Sequence, residues 1–345
     1  MRDKERYRLW CAQELDIPVF AQDWWLDAVC AEANWDVILI DDGGEIVAAM
    51  PYCLKRRGLF SIVSMPPFTQ TLGPYIKYPE RLNHAQRLSW DKKVLNRIID
   101  ELPKCDHILI KCHHRIVNWL PFYWRGFGQI TSYTYIIPNI SEPDRVLAGF
   151  DEAKRSDVKR AAKRVTVQLD MSPDAFYSHH ANSLRKQGQQ ILYSYDAFRR
   201  IHDAARFRNA GRIFYAIDEV GNVHSALFVV WGRESAYHLV TTLDPEFRSS
   251  GSMSLLVFEG IREVSRYTKR YDFEGSMIEG VEASYRRFGA VQTPYFRITK
   301  TPSRILRLRK AAIDVLRNDK TLANATFFFD KKLTPRIRNR SSGRG

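Results

Sequence analysis

A short polar loop precedes the most regular helical pattern in the chain. Arg248, Ser249, Ser250, Gly251 and Ser252 follow a strand-like run. Apolar residues then recur at the spacing of one helix face, namely Met253, Leu256, Val257, Ile261 and Val264. The first N–H groups of a helix have no partners within it, and the helix dipole favours a negative charge beside them. The loop is therefore predicted to bind an anion such as a pyrophosphate, with Arg248 supplying the opposite charge.

Two carboxylates follow this helix on a short, apparently buried strand. Asp272 and Glu274 are two residues apart, so a strand presents both on the same face. A carboxylate at the end of such a strand can take a proton from an ammonium nucleophile. Glu274 is favoured for this role because it lies nearer the turn. Alternatively, Glu274 forms an ion pair with a neighbouring arginine, Arg286 or Arg287.

The histidines and cysteines form no pattern typical of a metal site or a disulfide framework. The nine histidines contain no HExxH, and neither adjacent pair can point both rings at one ion, so we expect no metal. The five cysteines are odd in number and never spaced as CxxC, which favours reduced thiols in a cytoplasmic protein. Ser276 and His238 are further candidates for the site of Glu274, although a single histidine on a strand is more often structural.

Length and composition indicate a folded protein of two ordinary domains. The chain has 345 residues, of which 45% are hydrophobic and 12% aromatic. No apolar run is long enough to span a bilayer, and the first residues lack the apolar segment of a secretory signal. We therefore expect neither feature.

The net charge of +14 is unevenly distributed. Residues 303–345 contain twelve Lys and Arg against three Asp and Glu, and residues 154–164 contain six against one. Each run alone is more simply a solvated surface. Two separate concentrations nevertheless favour an anionic partner, which can be a nucleotide-linked substrate, tRNA or a membrane surface.

The second half of the chain repeats the first. Residues 213–227 align with residues 36–50 at a constant offset, and residues 285–289 resemble residues 124–128 further along. Two matches in the same order indicate a duplicated α/β domain. The predicted division gives a first domain over 1–150, a second over 151–302 entered through a basic helix, and a basic helix and tail over 303–345.

Four ordered segments resemble motifs of GNAT acyltransferases, and the whole chain resembles the FemABX-type double-GNAT proteins and their BioF2-like relatives. The segments are the pyrophosphate-type loop Arg248–Met253, the strand Tyr271–Gly275, the helix Glu282–Gly289 that ends in Phe-Gly, and the basic helix Arg155–Arg164. The resemblance covers roughly residues 15 to 300. It implies tandem GNAT-like domains, each a mixed, mostly antiparallel sheet flanked by helices.

The resemblance also implies an activity, namely transfer of an acyl group from acyl-CoA to an amine. The acceptor it implies is nucleotide-, lipid- or sugar-linked, in cell-envelope or surface-polysaccharide biosynthesis. In classical GNAT enzymes a tyrosine at the position of Tyr285 can protonate the leaving thiolate of CoA, although packing of a half-buried tyrosine is the simpler interpretation. FemABX enzymes typically have lysine in the corresponding motif and use aminoacyl-tRNA. The first domain lacks the arginine loop, so we expect it to bind no cofactor.

Three alternatives remain open from the sequence. The first is a FemABX-type peptidoglycan aminoacyltransferase that uses aminoacyl-tRNA, and the second is a non-catalytic protein that clamps a ligand between its domains. The third is a nucleic-acid-binding protein, which the lack of aromatic residues among most basic segments disfavours. The basic C-terminal helix, with the cluster Phe327–Phe329 beside Lys331 and Lys332, predicts either peripheral contact with the inner membrane face or packing on the second domain. The expected location is cytoplasmic, with or without this peripheral contact.

Overall fold

One mixed β-sheet runs through both halves of the chain, in a computed structural model that describes residues 2–30, 34–275, 277–309 and 312. Its strands are β1 Trp35–Asp42, β2 Glu45–Arg57, β3 Phe60–Ser64, β4 Tyr75–Ile76, β5 His107–Lys111, β6 Gly128–Ile137, β7 Thr166–Leu169, β8 Gly211–Ile217, β9 Val223–Trp231, β10 Ser235–Leu243, β11 Arg270–Asp272 and β12 Val291–Lys300. The order across the sheet is β1-β2-β3-β5-β12-β6-β11-β10-β9-β8-β7, and β4 pairs with β2.

Helices cover this sheet between the strands. They are α1 Asp3–Gln13, α2 Asp23–Cys30, α3 His84–Asp100, α4 Leu120–Trp124, α5 Pro143–Ala148, α6 Glu152–Ala161, α7 Pro173–Lys186, α8 Tyr195–Phe207, α9 Ser252–Val264 and α10 Glu279–Tyr285, with 3₁₀ turns at Val19–Ala21, Pro245–Ser250 and Arg286–Phe288. Local sequence fixes several ends. At the start of α3 the side chains of Asn83 and Gln86 each accept the other's backbone N–H at 2.9 Å, which forms a capping box. No helix of the described part of the chain is long and apolar enough to cross a bilayer.

The two halves are built alike, which confirms the tandem arrangement predicted from the repeat. Each begins its sheet with an antiparallel hairpin, β1–β2 or β8–β9, and each hairpin has a register shift near the end of its first strand. Each half also contains one parallel pair, β3 with β5 and β10 with β11. The remaining strand pairs are antiparallel. The predicted fold of mixed, mostly antiparallel sheets flanked by helices is therefore confirmed.

The two halves exchange their last strands. β12, from the second half, pairs with β5 of the first over four residue pairs, from Arg297–Lys111 to Lys300–Ile108. β6, from the first half, pairs with β11 of the second through Tyr271–Ile137 and Asp272–Ile136. β12 and β6 then pair with each other along nine residues. The exchange makes the sheet continuous and places first-half side chains beside Asp272, the last residue of β11.

The cores also extend across the two halves. One cluster of buried side chains joins Trp25 and Phe20 of the first half to Phe198 and Phe228 of the second. A second lies beneath α9 and includes Tyr135 of β6, while a third lies mostly in the first half and includes Ile298 of β12. Burial of this apolar area is the main term that stabilises the fold.

One expectation about the cysteines is wrong. Cys30 and Cys53 are joined by a disulfide, while Cys11, Cys105 and Cys112 carry free thiols. The sequence gives no sign of this pair because its separation matches no spacing motif, and the two residues meet only when α2 packs beside the β1–β2 hairpin. Disulfides are rare in reducing compartments. The cysteines therefore no longer support a cytoplasmic location.

The predicted C-terminal tail falls almost entirely outside the described residues. Phe327–Phe329, Lys331 and Lys332 all lie there. Ile305 and Leu308, at the start of the predicted basic helix, are 67% and 72% exposed.

Candidate functional site

A cleft opens in the second half where two parallel strands separate. β10 pairs with β11 only through Ser235–Arg270, Ala236–Tyr271 and Tyr237–Asp272. β10 then continues to Leu243 past an irregularity between His238 and Val240. In the part of the chain that the structure describes, no other strand takes the place of β11 on this side of β10. The free edge of β10 and the start of α10 form opposite walls of the cleft.

The cleft has a volume of about 650 Å³ and an amphipathic lining. Apolar side chains form much of the wall: Leu184, Leu243, Met253, Val257, Val281 and Phe288. Arg248, His180, Ser183, Thr241 and Tyr285 add polar groups. Such a surface suits an extended ligand with both apolar and anionic parts.

The predicted anion-binding loop is only partly open to this cleft. Arg248 and Ser249 are exposed, and Arg248 lines the cleft without a hydrogen-bond or ion-pair partner among the described residues. Ser250, Gly251 and Ser252 are buried beneath α6. A Cβ on Gly251, which has φ +81°, would lie 2.6 Å from the carbonyl oxygen of Asp157, so glycine alone fits this close approach.

The buried part of the loop already uses some of its donors. The Ser252 amide donates to Oγ of Ser250 at 3.2 Å, and the Ser225 hydroxyl donates to Oγ of Ser252 at 2.8 Å. The geometry therefore leaves Arg248 as the free cation of the loop, with Ser249 beside it. The role of the five loop residues in binding a donor stays a prediction.

Asp272 and Glu274 form a buried carboxylate pair behind the cleft. The backbone N–H of Glu274 donates to Oδ1 of Asp272 at 2.8 Å, and the hydroxyl of Thr134 on β6 donates to the same oxygen. The amide of Gln70 donates in turn to Thr134 at 3.0 Å. Oε1 of Glu274 is buried and has no hydrogen-bond partner among the described residues. It is the free acceptor of this network.

Burial sets the protonation of the pair. It raises the pKa of Asp272 to about 7, against the opposing effect of the two hydrogen bonds that stabilise its charged form. Burial also raises the pKa of Glu274 well above its ordinary value, and the charge of Asp272 adds to this, while Lys111 opposes it. Two carboxylates this close do not both ionise readily, so at neutral pH Glu274 is the member that retains a proton.

Neither arginine predicted as an alternative partner reaches Glu274. Arg286 pairs with Glu282 at 3.8 Å, and Arg287 pairs with Asp151. The ion-pair interpretation of Glu274 is therefore wrong for both residues, and the carboxylate remains available for chemistry.

Tyr285 connects the carboxylate pair with the cleft. Its ring lies 4.8 Å from that of Phe273 and 5.9 Å from that of His238. Burial raises the pKa of its hydroxyl, and Glu274 and Asp272 raise it further. A tyrosine in this setting keeps its proton at neutral pH and is a weaker acid than a free tyrosine. The position of Tyr285 is compatible with both the packing interpretation and the acid role.

His238 is buried and held by Tyr271. Its Nδ1 lies 2.9 Å from the hydroxyl of Tyr271, and burial lowers the pKa of the ring to about 3. It is a neutral residue of the cleft wall. Ser276, the other additional candidate, lies outside the described residues.

A second cavity lies in the first half, beyond the ends of β3 and β5, and has a volume of about 460 Å³. Its lining includes Tyr75, Tyr78, Arg87, His113, Arg115 and Ile116. Lys111, whose charge acts on Glu274, precedes His113 by two residues on the same segment. The carboxylate pair itself lines neither space, but its charges act on Tyr285 of the second-half cleft, and Lys111, two residues before His113 of the first-half cavity, acts on Glu274.

Sequence reasoning missed the first-half members of this site. Thr134 and Lys111 are brought to the pair because β6 and β12 are exchanged between the halves. Gln70 reaches the pair through Thr134 from the loop between β3 and β4, and nothing in the sequence connects this loop with Asp272. Among the described residues no group of three or more His, Cys, Asp and Glu side chains is placed to hold a metal.

Comparison with known families decides the nature of the second half. Residues 152–292 match the family model described as "Acetyltransferase (GNAT) domain". Residues 152–292 form a GNAT domain. The predicted resemblance is therefore confirmed on the half of the chain that carries the loop, the cleft and the carboxylates. None of the curated proteins matches the sequence.

Solved structures extend the comparison to both halves. The crystal structure of FemX is similar over 85% of this chain and 95% of its own, with 14% identity and a TM-score of 0.65. L-PGS from Bacillus licheniformis is similar over 87% of this chain and 92% of its own, with 10% identity and a TM-score of 0.51. The C-terminal domain of a putative lysylphosphatidylglycerol synthetase from Agrobacterium fabrum is similar over 86% of this chain and 92% of its own, with 9% identity and a TM-score of 0.50. At these identities the likeness concerns the fold, and the FemABX-like double-GNAT fold is thereby confirmed.

Proposed function

We propose that this GNAT-type protein is an N-acyltransferase that moves an acyl group from acyl-CoA to an amine on a nucleotide-, lipid- or sugar-linked acceptor. The observation that carries the proposal is the free Oε1 of Glu274, a buried carboxylate oxygen whose charge acts on Tyr285 in the wall of the second-half cleft. A donor in the cleft and an acceptor that enters from the first-half cavity would meet near this carboxylate.

The donor side is supported by the shape and lining of the cleft. The free edge of β10 offers backbone groups to an extended chain, as an added strand would use them. The apolar wall suits an acyl chain and the arm of CoA, and Arg248 faces the cleft as a cation for its phosphates. Arg248 with Ser249, Ser250, Gly251 and Ser252 is proposed as the donor-binding segment.

Starting from an ammonium, the reaction removes two protons from the nitrogen and delivers one to the leaving sulfur. The acceptor ammonium gives the first proton to the singly ionised carboxylate pair, through Glu274 with Asp272 behind it, and the neutral amine attacks the thioester carbonyl. The C–N bond forms, the C–S bond breaks, and Tyr285 protonates the leaving thiolate, while its phenolate takes the second proton from the nitrogen of the new amide. The approach of the cationic acceptor itself lowers the pKa of Glu274, which favours the ionised form that acts as base.

The acceptor class is proposed from the fold. One similar structure is named for lysylphosphatidylglycerol, an aminoacylated lipid, and supports an acceptor of the cell envelope. Acyl-CoA is a cytoplasmic metabolite, so the proposed location is cytoplasmic, peripheral to the membrane where the acceptor is lipid-linked. The basic tail is proposed as one such peripheral contact.

A second donor, aminoacyl-tRNA, is favoured by the burial of Ser250, Gly251 and Ser252, which leaves few loop amides for a pyrophosphate. The exposed basic residues of the segment around α6, Lys159, Arg160, Lys163 and Arg164, lie beside this loop and suit a nucleic-acid backbone. In this version the chain is a FemABX-type peptidoglycan aminoacyltransferase with the same carboxylate pair.

Thermal-shift measurements on the full chain distinguish these donors. We expect acetyl-CoA or a longer acyl-CoA to raise the melting temperature of the wild type and of Arg56→Ala, an exposed arginine of β2, but not of Arg248→Ala. A shift with charged tRNA alone would favour the second donor. Equal shifts in wild type and Arg248→Ala would show that the donor-site assignment is wrong. Donor binding without acyl transfer to any amine would leave a non-catalytic ligand-binding protein.

A further inference from the structure

A solvent-facing apolar segment in the first half belongs to neither the cleft nor the carboxylate pair. Within residues 117–124, four large side chains are about half exposed or more: Val117 by 71%, Leu120 by 47%, Tyr123 by 58% and Trp124 by 55%. Single exposed apolar residues are common on protein surfaces, but four within eight residues form a patch. We call these four side chains the aromatic patch.

Local packing explains why the aromatic patch faces solvent. α4 is a helix of five residues, and its Pro121 and Phe122 are buried in the first-half core. The opposite side of the same turn therefore points outward and carries Leu120, Tyr123 and Trp124. The ring of Trp119 lies 5.4 Å from that of Tyr123 and supports it from beneath. The patch is thus held by a buried base rather than by an irregular loop.

Cations surround the aromatic patch. Nζ of Lys92 lies 5.3 Å from the ring centroid of Trp124. Lys300 donates a hydrogen bond to the backbone carbonyl of Arg125 at 2.7 Å. Arg125 pairs with Asp100, an acid at this rim, at 2.8 Å. Lys92, Lys300 and Arg125 outnumber the acids Asp100 and Glu101 beside them, so this side of the patch has a net positive charge.

We infer that the aromatic patch docks this protein on an anionic membrane surface. Tyr and Trp, each apolar with one polar end, are the residues that prefer the level of lipid headgroups. Lys and Arg beside them attract anionic headgroups, so the charge of the rim matches this occupant. A protein partner or a second copy of the chain could bind the apolar residues alone and would not need the basic residues beside them.

The position of the aromatic patch gives the docking a consequence. Val117 directly follows Ile116, which is buried and lines the first-half cavity. Adjacent Cα atoms are about 3.8 Å apart, so the patch begins at the rim of that cavity. Docking would hold the cavity at the headgroup level, where a lipid-linked molecule can enter it. This consequence depends on the proposed acceptor, whereas the docking itself does not.

Vesicle flotation of the full chain tests the inference. Wild type should float with phosphatidylcholine vesicles that contain phosphatidylglycerol, and far less with phosphatidylcholine alone or at high salt. In Tyr123→Ser/Trp124→Ser we expect the bound fraction to fall about tenfold. The control Leu192→Ser/Phe207→Ser, which removes side chains that are 99% and 89% exposed elsewhere, should bind as wild type.

Three results would overturn the inference. The first is equal flotation of the patch variant and wild type. The second is loss of flotation in Lys331→Gln/Lys332→Gln but not in the patch variant, which would assign docking to the tail. The third is a wild-type dimer that the patch variant dissociates. The variant should retain the wild-type melting temperature and its transfer to a water-soluble amine, so loss of docking and failure of the proposed reaction are separable. Quenching of Trp124 by brominated lipid, obtained as the difference between wild type and Trp124→Phe, gives a second measurement without the double substitution.

Discussion

The backbone N–H of Glu274 donates to Oδ1 of Asp272 over 2.8 Å, so the residue proposed as base also stabilises the charge of its neighbour. This bond fixes which member of the pair ionises first, because Asp272 gains two donors while Oε1 of Glu274 has none among the described residues. The two carboxylates are therefore expected to titrate as a unit. A change at either residue should alter the protonation of both.

Glu274→Gln should remove the base while keeping the shape of the site. We expect kcat for acyl transfer to fall by about a hundredfold or more, with donor binding unchanged. Because Glu274 retains its proton at neutral pH, Gln changes no buried charge there, and the variant should be about as stable as wild type. Rapid-quench kinetics with thermal melting measures both. Wild-type turnover in this variant would contradict the base role, and Glu279→Gln, an exposed carboxylate in the first turn of α10, is the control.

Asp272→Asn should flatten the dependence of stability on pH. The pKa of Asp272 is about 7 in the folded protein, above its ordinary value, so between about pH 4 and pH 7 the folded state binds more protons than the unfolded state. Wild-type stability therefore falls as pH rises through this window. Asn accepts the same bonds from Thr134 and Glu274 without a charge. We expect it to remove a pH-dependent loss of about 1 to 4 kcal/mol, an upper range for a coupled pair.

Urea unfolding at pH 4.5 and pH 7.5 measures this difference for the wild type and the variant. Asp144→Asn removes an exposed carboxylate from α5 and should leave the pH dependence as in wild type. A pH dependence in Asp272→Asn equal to that of wild type would show that Asp272 is ionised in the folded protein throughout this range.

Tyr285→Phe separates the two interpretations of this tyrosine. Phenylalanine keeps the ring contacts with Phe273 and His238 but cannot donate a proton. We expect a loss of about a hundredfold in kcat at unchanged KM when the leaving group is a thiolate. The control Tyr267→Phe changes a tyrosine stacked on Trp231, away from the cleft. An unchanged kcat in Tyr285→Phe would leave packing as its role.

The sequence was informative about local features, and the reasons are physical. The start of α9 is fixed by short-range chemistry, since it follows from Gly251 and the apolar spacing. The strand face predicted to carry both Asp272 and Glu274 is wrong, because β11 ends at Asp272 and Glu274 has φ +61°. The repeated hairpins could be aligned because turn residues such as Gly43 and Gly44 can be recognised from a single sequence. The tandem GNAT fold was predictable from such segments in order.

What could not be predicted depends on contacts between distant residues. Thr134 and Lys111 reach the carboxylates only through the strand exchange, and the Cys30–Cys53 bond forms only after α2 packs on the hairpin. The burial of Gly251 under Asp157 also could not be predicted, because the sequence around a loop glycine does not show whether a helix covers it. Each of these contacts changes the surroundings of a residue for which the sequence shows only the neighbours along the chain.

Gly275→Ala should be strongly destabilising, because this residue allows β11 to turn directly against β6. A Cβ there would lie 2.1 Å from the carbonyl oxygen of Tyr133. Gly43→Ala is a matched control, since Gly43 has φ +61° against +64° for Gly275 but nothing within 4 Å of its Cβ position. We expect Gly43→Ala to cost about 1 kcal/mol and Gly275→Ala at least about 3 kcal/mol in urea unfolding. Equal costs would mean that the turn at Gly275 has room to move away from β6.

The strand exchange predicts that the two halves unfold together. Separating residues 2–150 from residues 151–302 would leave β5 and β11 each without an antiparallel neighbour from the other half. It would also divide the core cluster that joins Trp25 to Phe198. Calorimetry of the full chain should therefore show one transition, with calorimetric and van't Hoff enthalpies equal. Two resolved transitions would contradict this. Phe198→Ala is a sharper probe, because it opens a cavity in the core cluster that both halves share. We expect it to lower the free energy of unfolding of the whole chain by about 3 to 5 kcal/mol, with the transition still single.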